Sequence, residues 1–152
     1  MKKKIFIMFG SLIILVLLIF AGVSYAAMTA PRHPSDYEIG IKYEQAAVSE
    51  KPMLAVFYVD WCGYCMKFMP KFNILSKIYK DQFNFVMVNV EDKQNEKLAT
   101  EIGIVGFPTV FIIDPKYDNK VLLSNAIYQN LSKFRVELDR YLRIRSLLDS
   151  VD

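Results

Sequence analysis

With 152 residues, 53% of them hydrophobic, the chain has room for one globular domain and an appendage, and much of its apolar content lies at the N-terminus. The formal net charge of +3 resides wholly in Lys2, Lys3 and Lys4: without those three, 19 basic residues become 16 against 16 acids. The rest is neutral, giving no reason to expect a nucleic-acid partner, and two cysteines with one histidine are too few for a four-ligand structural zinc site. From the N-terminus, the three lysines precede an almost unbroken apolar run from Ile5 to Val23, followed by small residues in Ser24-Tyr25-Ala26. Residues 1–26 therefore read as an export signal, either cleaved after Ala26 or kept as a membrane anchor. The positive flank keeps the N-terminus inside and places the domain outside the cytoplasm, in the periplasm or on the outer face of the cytoplasmic membrane.

Residues 27–35, with Pro31 and Pro34, read as an extended linker in which His33 is solvated. The domain is expected over 36–150. A helix capped by Ser35 or Asp36 is predicted through about Ser49, with Ile39, Tyr43, Ala46 and Ala47 on one face and Gly40 weakening it. No convincing strand precedes Met53. Met53 to Val59 is an apolar run of strand length, Asp60 and Trp61 make a turn, and a helix opens near Cys62. There the Cys62 sulfur lies beside unpaired backbone N–H groups and the positive end of the helix dipole, which favour a thiolate. Cys65, one turn deeper on the same face, is placed to resolve a mixed disulfide. A purely structural disulfide would close a tiny loop and restrict the unfolded chain little. The helix should run to about Lys80, kinked at Pro70, with Phe68, Phe72, Leu75 and Tyr79 on its buried face. Met69 reads as core, whereas Met66 suits either packing or a soft docking surface.

Phe83 to Val90 reads as a buried strand parallel to the first, and Glu91 to Ile102 as a helix ended by Gly103. Thr109 to Ile113 is a third strand, residues 114–119 a turn, and Lys120 to Asn125 an antiparallel hairpin partner. A last helix spans Leu131 to Leu148, with Phe134, Leu138, Tyr141 and Leu142 inside and Arg135, Arg140, Arg143 and Arg145 on a solvated face. This order gives an α/β fold, a three-layer sandwich with a central mixed β-sheet. No glycine loop cradles a phosphate, so no cofactor is expected.

Three features together resemble the thioredoxin superfamily: Trp61-Cys62-Gly63-Tyr64-Cys65, Pro70 in the following helix, and Gly103-Ile104-Val105-Gly106-Phe107-Pro108-Thr109 downstream. The resemblance covers roughly Lys51 to Leu142. It implies a thioredoxin-like fold and a thiol-disulfide oxidoreductase acting on protein thiols and disulfides, with Cys62 and Cys65 catalytic. Trp61, Gly63, Tyr64, Phe107 and a cis Pro108 are the implied substrate-binding residues, the last two offering backbone to an extended segment. A redox partner that recycles the dithiol is also implied, and the N-terminal segment is a possible membrane tether.

Two departures from the family pattern matter. Val56 and Met87 stand where thioredoxins carry a buried aspartate and its lysine, so the proton acceptor for Cys65 must lie elsewhere, with Asp60, Glu91 and Asp92 candidates by position. Gly63-Tyr64 replaces Gly-Pro and is the dipeptide of some bacterial disulfide isomerases. With no histidine between the cysteines to stabilise the thiolate, a reductant or isomerase is expected rather than an oxidant. The competing functions are a reductase for cytochrome c maturation and a thioredoxin-like binding or chaperone module without turnover.

Overall fold

The computed structural model describes residues 12–24 and 32–151. Lys2 to Lys4, the beginning of the apolar run, the expected cleavage site at Ala26 and the first part of the linker lie outside them. The chain divides into two units, Met1–Arg32 and His33–Asp152. In the first, residues 12–24 form a helix, α1, with exposed apolar side chains. Among the described residues, no helix is long and apolar enough to cross a membrane.

The second unit is built on a four-stranded sheet in the order β2-β1-β3-β4. The central strand β1 (Met53–Tyr58) is buried along its whole length, as its unbroken apolar run predicts. It pairs in parallel with β2 (Asn84–Asn89) and antiparallel with β3 (Thr109–Asp114), and β3 pairs antiparallel with β4 (Asn119–Leu123). Alternation along β1 divides the core between two faces. Leu54, Val56 and Tyr58 pack with Phe68, Phe72 and Leu75 of α3 (Gly63–Ile78) and Phe134 and Leu138 of α6 (Leu131–Asp149). On the opposite face Met53, Ala55 and Phe57 pack with Ala46 of α2 (Tyr43–Ala47) and with Leu98 and Ile102 of α4 (Glu96–Ile102). The result is the expected three-layer α/β sandwich with a mixed sheet.

Gly103 ends α4 with φ +79, and its N–H returns to Ala99 O at 3.1 Å, the helix stop that the glycine signals. Pro70 lies inside α3 without ending it. One helix goes beyond the predicted elements: a single turn, α5 (Asn125–Tyr128), just before α6.

The predicted helix from Asp36 to Ser49 is corrected. Pro34–Asp36 form one 3-10 turn, the chain is then extended, and only Tyr43–Ala47 is α-helical. The cause is Gly40, whose φ of +78 no helix accepts. Beyond it, Ile41 N donates to Phe85 O at 2.9 Å and forms an isolated parallel bridge with Val86. This single bridge occupies the outer edge of β2.

The solvated arginine face is also corrected at one position. Arg145 Nε donates to Asp114 Oδ2 at 2.7 Å, and Asp114 at the end of β3 is fully buried. Tyr141 Oη donates to the same oxygen at 3.2 Å and Lys116 N to Oδ1 at 3.2 Å. An ion pair therefore ties the last helix to the sheet.

Candidate active site

The site forms where β1 ends and α3 begins. After Tyr58 the backbone turns, closed by Cys62 N donating to Val59 O at 3.3 Å. Cys62 is the N-cap of α3, with extended φ and ψ of −77° and 108°. Its Sγ accepts the Cys65 N–H at 3.2 Å, so the sulfur takes the place of the side-chain oxygen that ordinarily caps a helix. Across the cleft the same sulfur donates to Phe107 O at 3.6 Å. Cys62 keeps 7% of its surface exposed, whereas Cys65 is wholly buried on the inner face of α3. Burial, followed by the hydrogen bond with Cys62, pushes the Cys65 thiol up to about 12. Cys62 thus keeps a little exposure, and Cys65 is enclosed in the apolar core.

The surroundings assemble the remaining predicted residues. Trp61 and Tyr64 are each 69% exposed and flank the cysteines. The Trp61 ring stands edge-on to Phe107 at 6.5 Å, and its Nε1 donates to Glu91 Oε1 at 2.9 Å. Gly63 opens α3 with free space where a Cβ would stand. The Phe107-Pro108 peptide is cis, as the resemblance implies. Pro108 is buried, and its carbonyl accepts the Tyr128 hydroxyl at 2.9 Å. Tyr128 in turn packs edge-on against Phe68 of α3 at 5.3 Å.

Val56 and Met87 lie opposite each other in the β1-β2 register, so the positions of the family's acid and lysine are apolar and belong to the core cluster that holds Cys65. Of the three carboxylates considered as proton acceptors, Glu91 holds the Trp61 indole and Asp60 is bound by Ser35. Ser35 N donates to Asp60 Oδ1 at 2.9 Å and Ser35 Oγ to Oδ2, while His33 Nδ1 lies 3.3 Å from Asp60 O. His33 and Ser35 thus touch the active-site turn. Neither these two residues nor Tyr128 can be found from sequence, because each contact joins residues 20 or more positions apart with no motif to announce it.

A family model described as Thioredoxin matches residues 38–134. The chain belongs to the thioredoxin family. It is 35% identical over 95 residues to the chloroplastic thioredoxin-like protein HCF164 of Oryza sativa subsp. japonica, covering 62% of this chain and 33% of that protein. It is 34% identical over 97 residues to the thioredoxin of Griffithsia pacifica, covering 59% of this chain and 87% of that one. Among solved structures, the Trx4 domain of ERdj5 superposes with a TM-score of 0.58 at 16% identity, covering 70% of this chain and 97% of that domain, a likeness of fold. The chain spans about a third of the length of the HCF164 relatives it matches.

Proposed function

We propose that this thioredoxin-family protein is an extracytoplasmic thiol-disulfide oxidoreductase acting on protein disulfides through Cys62 and Cys65, as a reductant or isomerase rather than an oxidant. The observation that carries the reading is the Cys62 sulfur at the opening of α3, held by the Cys65 N–H at 3.2 Å, with the buried Cys65 behind it. In the first step the Cys62 thiolate attacks a substrate disulfide. A Cys62-substrate S–S bond forms, the substrate bond breaks, and one substrate sulfur leaves as thiolate. Cys65 then gives up its proton and attacks Cys62 Sγ, forming the Cys62-Cys65 disulfide and releasing the second substrate thiolate. Two electrons pass to the substrate, and a partner dithiol restores the pair. Trp61, Gly63, Tyr64 and the backbone at Phe107 and Pro108 form the surface on which the substrate segment lies.

The direction of flow follows from the residues between the thiols. A strong oxidant stabilises its reduced form, usually through a cation or imidazole beside the thiolate, and Gly63-Tyr64 supplies neither. Equilibration of the pair against glutathione buffers should give a potential more reducing than the roughly −120 mV of a strong periplasmic oxidant. A value that high sinks the reductant or isomerase reading. Cys62→Ser should abolish turnover on a protein disulfide; retention of activity would identify a binding module instead. The location rests on Lys2 to Lys4 and the run from Ile5 to Val23, and a soluble cytoplasmic protein retaining Met1 would refute it.

A further inference from the structure

The turn that delivers Cys62 is held from outside by a strap. Pro34–Asp36 form a 3-10 turn that packs against α3 with Pro34 buried. The strap closes on itself through His33 N donating to Asp36 Oδ2 at 2.8 Å. It then engages Asp60 at three points: Ser35 N on Oδ1 at 2.9 Å, Ser35 Oγ on Oδ2, and His33 Nδ1 at 3.3 Å from the backbone oxygen. Both carboxylate oxygens of a residue two positions before Cys62 are thus bound by one serine, on a segment that leans on the cysteine-bearing helix.

We propose that Asp60 is a positioning residue for Cys62, acting through Ser35, and not the proton acceptor of Cys65. The proposal rests on the reading of Cys62 as the attacking thiol. The Cys62 sulfur meets the Cys65 N–H only while Cys62 keeps its extended N-cap geometry, which the Val59–Cys62 turn sets. An untethered surface turn samples other conformations and withdraws the sulfur from that N–H. Tying the turn to a segment that packs on α3 makes turn and helix one body. Both Asp60 oxygens are held by Ser35, so the carboxylate faces the strap with its acceptors already engaged.

Asparagine at position 60 separates the two roles. Its amide oxygen can accept the Ser35 N–H and its amide nitrogen can donate to Ser35 Oγ, so it preserves the tether, yet it cannot take a proton. In the full chain, Asp60→Ala should slow alkylation of Cys62 at neutral pH by about two- to tenfold, the loss of one or two hydrogen bonds. Ser35→Ala should give a smaller decrease, Asp60→Asn should stay near wild type, and Ser35→Ala combined with Asp60→Ala should be no slower than Asp60→Ala alone. The pH dependence of mixed-disulfide resolution should be the same in all of them, and thermal unfolding identifies any variant that has lost its fold. Asp60→Asn as slow as Asp60→Ala in resolution would make Asp60 the proton acceptor and overturn the proposal. Asp60→Ala alkylating at the wild-type rate would also overturn it, since the strap then positions nothing. If in the wild-type protein Cys65 alkylates faster than Cys62, the nucleophile assignment falls and takes this proposal with it.

Discussion

In the proposed mechanism Cys65 must lose a proton before it can displace substrate, and its surroundings resist that loss. Burial is the largest cause of its rise to about 12, with the Cys62 hydrogen bond second. In a mixed disulfide the Cys62 sulfur is bonded to substrate and its hydrogen bond with Cys65 weakens, but the burial remains. Tyr58, which packs in the same cluster, offers no ready base. Its own burial, with Asp60 and Asp92 next in weight, takes the phenol up to about 12 as well. Resolution in the wild-type protein should therefore accelerate about tenfold per pH unit from neutral towards alkaline pH, following the fraction of Cys65 thiolate. Rapid-mixing measurements on a trapped Cys62-substrate mixed disulfide would read this, and a rate independent of pH between 6 and 9 would mean that a proton acceptor serves Cys65 directly. The placement of the two cysteines, Cys62 capping the helix and Cys65 buried one turn on, was legible because spacing within one helical turn is local information. The proton problem was half legible: Val56 shows that an acid is missing, but only tertiary structure shows that Asp60 and Glu91 are already engaged elsewhere.

At the scale of elements, two short contacts hold the sheet edges and the last helix in place. A Cβ added at Gly40 would sit 1.8 Å from Phe85 O, on a backbone with φ +78. Gly40→Ala should thus break the Ile41-Val86 bridge and cost about 1–3 kcal/mol by chemical denaturation. An unchanged midpoint would show that the extended segment before α2 contributes nothing to the β2 edge. At the other end, Arg145→Met leaves Asp114 buried without its ionic partner. It should cost about 3 kcal/mol, whereas Tyr141→Phe removes one of several donors to the same carboxylate and should cost about 1 kcal/mol. Equal losses in urea melts would contradict this ranking. The strands were readable because their apolar runs are bounded by Pro52, Gly103 and the turn at Pro115. The segment before α2 was not, since Ile39, Tyr43, Ala46 and Ala47 do recur at helical spacing while one positive φ at Gly40 overrides the pattern. Arg145 looked like its neighbours on a polar face because nothing in sequence marks Asp114 as buried.

For the whole molecule, every member of the two core clusters lies between Tyr37 and Leu142. In the first unit, the described residues of the apolar run keep their large side chains exposed. The strap is residues 33–36, at the start of the second unit. It belongs to the second unit, which begins at His33, and it reaches the active-site turn rather than the core centre. These roles separate under truncation. A chain beginning at His33 should unfold cooperatively with a midpoint within about 2 °C of the full chain, because both clusters are intact. A chain beginning at Tyr37 should also fold, with a small loss from the missing Pro34 contact. Without Ser35, however, its Cys62 should alkylate about two- to tenfold more slowly than in the longer truncation. Calorimetry gives the first comparison and timed alkylation with mass mapping the second. If the chain beginning at His33 does not fold, the core as described is incomplete. If the chain beginning at Tyr37 keeps the full alkylation rate, the strap is mere packing and Cys62 is positioned by β1 and α3 alone.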